Sequence, residues 1–120
     1  MQYKPRKLVY VAGPFRAEST WKIEQNIRRA EEAALHVWKL GAACICPHAN
    51  TRFYQHEAPD ELWLQGDLEI LRRCDAALFI PGWEKSKGAQ LEMDYARKWG
   101  IPTFLNLREL GEWLNGWSSI

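Results

Sequence analysis

The sequence predicts a single α/β domain over residues 1–120, a doubly wound three-layer sandwich around a parallel sheet of four or five strands. Two patterns and one length predict it. Short β-branched and aromatic runs alternate with longer apolar stripes of helical period, and Gly or Pro punctuates most junctions. A chain of 120 residues is about one domain long, below the size at which cores divide.

The first strand is read at residues 7–12, ended by Gly13-Pro14. The chain starts with basic residues, but the apolar run after them meets a Gly-Pro turn and no export-type cleavage site, which favours a strand over a leader. A helix follows from about Ser19-Thr20. Ile23, Ile27, Ala30, Ala34, Val37 and Trp38 form its apolar stripe, and Gly41 closes it. Residues 43–46 read as a short buried strand stopped by Pro47. Residues 48–59 lack periodicity and are expected to be one long loop, a lid or specificity loop.

Asp60 is the expected N-cap of a second helix marked by Leu64, Leu68 and Leu71 and ending near Cys74. Residues 75–81 give a third strand, residues 88–99 a third helix stopped by Gly100, residues 102–105 a fourth strand and residues 107–114 a last amphipathic helix. Strands alternating with helices in this way pair in parallel with right-handed crossovers, the Rossmann/flavodoxin-like arrangement. Ligands in such sheets sit at the C-terminal strand ends where strand order reverses. That directs attention to Gly13-Pro14-Phe15-Arg16 and to the loop from Pro81 to Gly88, with His48 and Asn50 as neighbours.

Composition narrows the partners. Lys plus Arg number 16 against 15 Asp plus Glu, a net charge of +1, so there is no broad positive field for a nucleic acid polymer or an anionic membrane. No apolar run is long enough to span a bilayer. Cys44, Cys46 and Cys74 are odd in number, form no C-x-x-C pair and fall in or beside strands, which reads as small core residues in a reducing, cytoplasmic setting. His48 and His56 have no convincing third ligand, so no metal is implied, and no organic cofactor is either. Seven tryptophans exceed what one small core readily hides, so a homodimer or higher homo-oligomer is expected, with Trp21, Trp38, Trp113 and Trp117 as interface candidates.

Neither a G-x-G-x-x-G after the first strand nor a G-x-x-x-x-G-K-[ST] is present, and the third strand ends on Ile80-Pro81 where a receiver domain needs an acid. What stands instead is a polar loop opening onto a helix. Ser86, Gly88, Lys85 and Lys87 there read either as an anion cradle or as an ordinary solvated turn. Glu92 shares a helix face with Ala89, Ala96 and Trp99, so it points into packed structure. It reads as a dipole-complementing acid or as a nucleophile held ionised by that dipole. Asp67, between Leu64, Leu68 and Ile70, reads as a surface acid or as the second carboxylate of a glycosidic-bond site.

Together, Tyr10-V-A-Gly13-P-F-Arg16, the Gly66-Asp67-Leu68 step, Asp75-AALFIP and Ser86-K-G-A-Q-L-Glu92-M-D-Tyr95-Ala96 resemble the nucleoside 2-deoxyribosyltransferase superfamily in order and spacing, over nearly the whole chain. The likeness is greatest to a compact phage- and bacteria-associated branch with a Pro-Gly-Trp-Glu-x-Ser loop, and extends to the deoxynucleoside 5′-monophosphate N-glycosidases. The resemblance implies Glu92 as the nucleophile forming a glycosyl-enzyme intermediate, Asp67 as the acid assisting the departing base, and Tyr10 as the residue orienting Glu92. It further implies a substrate site of Gly13, Phe15, Arg16, Ser86 and Gly88, with Arg16 and Ser86 meeting a 5′-phosphate, and with His48, Asn50 and Phe53 near the base.

This sequence departs from the family at Met93-Asp94, where a small apolar residue and glycine are usual, and its end at residues 111–120 is short and tryptophan-rich. Transferases often finish their pocket with a neighbour's C-terminal residues, so hydrolysis is favoured over transfer. The expected function is therefore N-glycosidic cleavage of a (deoxy)nucleoside 5′-monophosphate, releasing free base and sugar phosphate. Two alternatives stay open: base exchange by a nucleoside deoxyribosyltransferase, and a nucleotide-binding or sensing module without turnover.

Overall fold

The computed structural model describes the backbone of residues 1–118 and the side chains of residues 1–116. Its strands are β1 (Leu8–Ala12), β2 (Ala43–Ile45), β3 (Ala76–Phe79) and β4 (Thr103–Phe104), and its helices are α1 (Thr20–Lys39), α2 (Pro47–Asn50), α3 (Asp60–Arg72), α4 (Lys87–Lys98) and α5 (Leu107–Ser118). The four strands form one all-parallel sheet in the order β2-β1-β3-β4, with Val9 opposite both Cys44 and Ala76. This is the flavodoxin-like sandwich expected, with four strands.

Strand alternation divides the core in two. Val9 and Val11 of β1, with Ala76, Leu78 and Ile80, pack against Ala30, Ala34 and Val37 of α1 and against Leu110 and Leu114 of α5. Tyr10 and Ala12, with Ala77 and Phe79, pack on the other face against Leu68 and Leu71 of α3 and Met93 and Ala96 of α4. Tyr10 therefore faces the same two helices that carry Asp67 and Glu92.

Local chemistry sets the element ends. Ser19 caps α1 by accepting from the Lys22 N–H at 3.2 Å, and Gly41 leaves the helix at a left-handed φ of 96°. Boundaries differ from expectation in places, and α5 runs to Ser118 where a helix over 107–114 was expected. Residues 47–50 form the one-turn helix α2 instead of loop, because Pro47 at its first position carries a φ already suited to a helix. Asp60 is the first helical residue of α3, and Pro59 occupies the cap.

The tryptophans divide as well. Trp21 and Trp38 on α1 are exposed at 70% and 49%. Trp113 instead lies partly buried against Phe104, ring centroids 5.5 Å apart, with Lys7 over its ring, because α5 needs an aromatic to cover the short strand β4. The Trp117 side chain lies outside the described residues. No described helix is long and apolar enough to cross a membrane.

Gly13 owes its place to packing. A Cβ there would lie 2.3 Å from Cγ1 and 2.7 Å from Cδ1 of Ile80, at the end of the neighbouring strand. Gly13→Ala is expected to destabilise the fold by about 1–3 kcal/mol, as overpacked cores do. In a double-mutant cycle scored by denaturant unfolding, the same change should be markedly less harmful in an Ile80→Ala background.

Candidate active site

The strand order places the switch point between β1 and β3, since the chain leaves β1 toward β2 and returns past it to β3. A cavity of about 1030 Å³ opens there, at the C-terminal strand ends. Its walls are the loops after β1, β2 and β3, one face of α3 and the first two turns of α4. From α3 come Asp60, Glu61, Trp63, Leu64 and Asp67, and Asp60, Trp63, Leu64 and Asp67 stand at the spacing of three and four of one helical face.

Glu92 and Asp67 both line this cavity, and Glu92 is only 7% exposed. Beneath them the fully buried Tyr10 donates its hydroxyl to Glu92 Oε2. Burial pushes the Glu92 carboxyl up to about 8; the Tyr10 bond pulls it down and the Asp67 charge pushes it further up. Burial raises Asp67 to about 6. The Tyr10 hydroxyl is raised well above its ordinary value by burial and by both carboxylates, so it stays a donor.

Burial works against the reading in which the helix dipole holds Glu92 ionised. Glu92 sits in the second turn of α4, past the reach of the dipole, and desolvation dominates. Burial thus favours the protonated form of both carboxyls, Glu92 more strongly than Asp67.

The loop after β1 is pinned by two buried polar side chains. His48, 8% exposed, holds the Pro14 carbonyl oxygen at 2.8 Å from Nε2 and lies edge-on to Phe15 with ring centroids 5.4 Å apart. Because a carbonyl only accepts, Nε2 carries the proton, and burial lowers the pKa of the ring. Asn26 of α1 donates from Nδ2 to the Phe15 carbonyl at 3.1 Å and accepts from Arg29. Sequence reasoning missed Asn26. The available signal was a buried-stripe position, three after Ile23 and four before Ala30, occupied by an amide.

At the cavity's other edge Ser86 caps α4, its Oγ accepting from the Ala89 N–H at 3.2 Å, which leaves the hydroxyl proton for a ligand. Gly82, at φ 94°, tucks against Pro14, where a Cβ would come to 3.0 Å of its Cγ. The loops after β1 and β3 therefore meet. Lys85, Lys87 and Gly88 line the same edge. Arg16 lines the cavity too, ion-paired with Asp60 while both remain about two-thirds exposed.

Of the sequence-derived residues, Gly13, Phe15, Arg16, His48, Asp67, Ser86, Gly88 and Glu92 surround this one cavity, and Tyr10 reaches it through Glu92. Asn50 does not. It ends the single turn of α2, whose buried side carries Pro47 and His48, and so turns to solvent. The cysteines stay out of the chemistry, with burial pushing the Cys44 and Cys74 thiols up to about 12.

Among solved structures, the chain is similar to the 2-deoxyribosyltransferase of the psychrotolerant bacterium Bacillus psychrosaccharolyticus, a biocatalyst for nucleoside synthesis. The TM-score is 0.58 at 19% identity, over 84% of this chain and 78% of that one. The fold is thus that of a 2-deoxyribosyltransferase. Residues 7–104 match the model of the family described as Domain of unknown function (DUF4406), and the chain belongs to that family. No protein of curated function matches it.

The raised carboxyls make stability pH-dependent with a definite sign. Folded Glu92 holds its proton more tightly than an ordinary carboxyl of 4.5, so its contribution is complete below about pH 4.5 and is lost as pH rises through about 8. Melting temperatures of wild type and Glu92→Gln should therefore diverge across that range, the variant declining less. Asp67 leaves the variant a smaller decline, finished near pH 6. A gap between the two proteins that stayed constant with pH would contradict the raised value.

Proposed function

We propose that this protein cleaves the N-glycosidic bond of a (deoxy)nucleoside 5′-monophosphate. The observation that carries the proposal is the Tyr10–Glu92 hydrogen bond at the wall of a cavity that also holds Asp67. A phenol fixed on one carboxylate oxygen leaves the other free to attack, and a second carboxyl supplies the proton that a departing base needs.

In the first step Glu92 attacks the anomeric carbon as the C–N bond breaks. The bonding pair leaves on the base nitrogen, which takes the Asp67 proton. Tyr10 keeps its own proton and holds the Glu92 oxygen in line. In the second step water attacks the same carbon and gives a proton to Asp67, and the ester bond returns its electrons to Glu92. The reactive form of the pair carries one proton, on Asp67, with Glu92 ionised.

Arg16, Ser86 and the amides around Gly88 would hold the phosphate. The exposed Arg16–Asp60 pair is a weak tie that an incoming dianion can replace. Base exchange is the second reading, favoured by the fold neighbour. It uses the same first step and differs only in what attacks the intermediate, so adding a second base during turnover separates the two.

Incubation with nucleosides and their 5′-monophosphates, with free base resolved by chromatography, tests the reaction. Glu92→Gln should abolish release while the protein remains folded. Arg16→Ala should lower kcat/KM for the monophosphate by at least about tenfold and leave the nucleoside nearly unchanged. Equal losses on both substrates would mean that Arg16 does not read phosphate. Loss of the shared proton above and its doubling below define the pH profile: kcat/KM should be highest between about pH 6 and about 8 and fall on both sides.

A further inference from the structure

We propose that Gln55 and Trp63 form the wall that reads the base, the Gln55 amide oxygen accepting from its hydrogen-bonding edge and the Trp63 indole N–H donating to it. This inference rests on the nucleotide reading above and assigns recognition to residues outside the expected His48, Asn50 and Phe53. Among the described residues, the buried side-chain polar atoms with no hydrogen-bond partner are Gln55 Oε1 and Trp63 Nε1. Both residues line the cavity. Folded proteins pair nearly all such atoms, and the exceptions call for an explanation in a ligand, water or strain.

The two orphans form a complementary set, one acceptor and one donor. Every common base offers a donor and an acceptor on one edge, so a heterocycle that enters between the loop and α3, where both atoms are closed to water in the free protein, would satisfy both. Position supports the assignment. Trp63 stands four residues before Asp67 on the same face of α3, so a base against Trp63 lies next to the carboxyl that protonates it.

The loop that carries Gln55 is shaped for this wall. Phe53 and His56 take left-handed φ values of 70° and 72°, uncommon for non-glycine residues, on either side of Tyr54 and Gln55. Tyr54 lies against Trp63 with ring centroids 5.6 Å apart, which ties the loop to α3. Backbone strain and two unpaired polar atoms thus meet in one loop–helix contact at the cavity.

The test separates recognition from stability. In a Glu92→Gln background, which binds without turning over, calorimetry measures affinity for the monophosphates of the four common bases and for the base-free sugar phosphate. Trp63→Phe keeps the ring and removes the N–H; Gln55→Leu keeps the volume and removes the amide. Each is expected to weaken the best-bound monophosphate by about tenfold, to leave the sugar phosphate unchanged, and to leave the melting temperature of the free protein equal or higher, since an unpaired buried group is replaced by an apolar one. Unchanged monophosphate affinity in both variants overturns the base wall and leaves the nucleotide reading standing. Equal weakening of monophosphate and sugar phosphate with a lower melting temperature overturns it as well, by showing a structural role. No binding of any monophosphate or sugar phosphate to the parent protein overturns the nucleotide reading, and the base wall with it.

Discussion

The hydrogen bond from Tyr10 to Glu92 joins the middle of the sheet to the helix that crosses it, and both of its partners are taken out of water. Neither group is tolerable there alone. A buried phenol or carboxyl without a partner destabilises the fold, so the pairing fixes how α4 sits on β1. Strand alternation is what makes it possible. Val9 and Val11 face α1, so Tyr10 must face α3 and α4, where it packs among Leu68, Leu71, Met93 and Ala96 and its hydroxyl meets Glu92. The cavity lies where this contact reaches the strand ends.

Around that contact the walls are held by side chains that do not themselves look chemical. His48 and Asn26 take successive carbonyls of the loop after β1, and Gly82 packs under Pro14 of the same loop. Gly13 lets Ile80 come close enough for β1 and β3 to end side by side. The loop that presents Arg16 is therefore fixed at its backbone, while the Arg16 side chain is free to exchange an exposed carboxylate for a better anion. A rigid loop bearing a loosely held cation loses little entropy on binding, the condition under which a phosphate contact contributes to affinity.

Much of this was legible beforehand, for physical reasons. Periodicity located all four strands and the four long helices, because burial on one face leaves a period in the sequence. Glu92 was legible as an acid on an apolar helix face and Asp67 as a candidate second carboxylate, and Tyr10 came with them through the resemblance. Contacts that depend on distance were not. Nothing in the spacing of His48 announces that its ring nitrogen meets the Pro14 carbonyl across 34 residues, or that Arg16 pairs with Asp60. Asn50 misled because a one-turn helix reverses which residues face the cavity, and α2 is too short to leave a periodic signal. The upward push on the Glu92 carboxyl was hidden for a related reason: sequence gives distance along a helix from its dipole, while burial depends on what packs above it.

The raised carboxyl bears on how such a site would accelerate a reaction. Among the described residues no cationic side chain offsets the burial that raises Glu92, and burial raises Asp67. The pair is thus an acidic, partly desolvated site without a positive partner of its own. A neutral sugar ring does little to relieve it. A ring developing oxocarbenium character does, since positive charge then appears where ionised Glu92 is least well solvated. Stabilisation confined to that moment lowers the barrier instead of deepening the bound state, which is the requirement for catalysis rather than binding. A lysine or arginine beside Glu92 would keep it ionised at rest and remove the advantage, because the carboxylate would already be satisfied before the bond began to break. In the proposed reaction, the cations Arg16, Lys85 and Lys87, which line the cavity, would meet phosphate, and the acids would be left to the charge that the reaction itself creates.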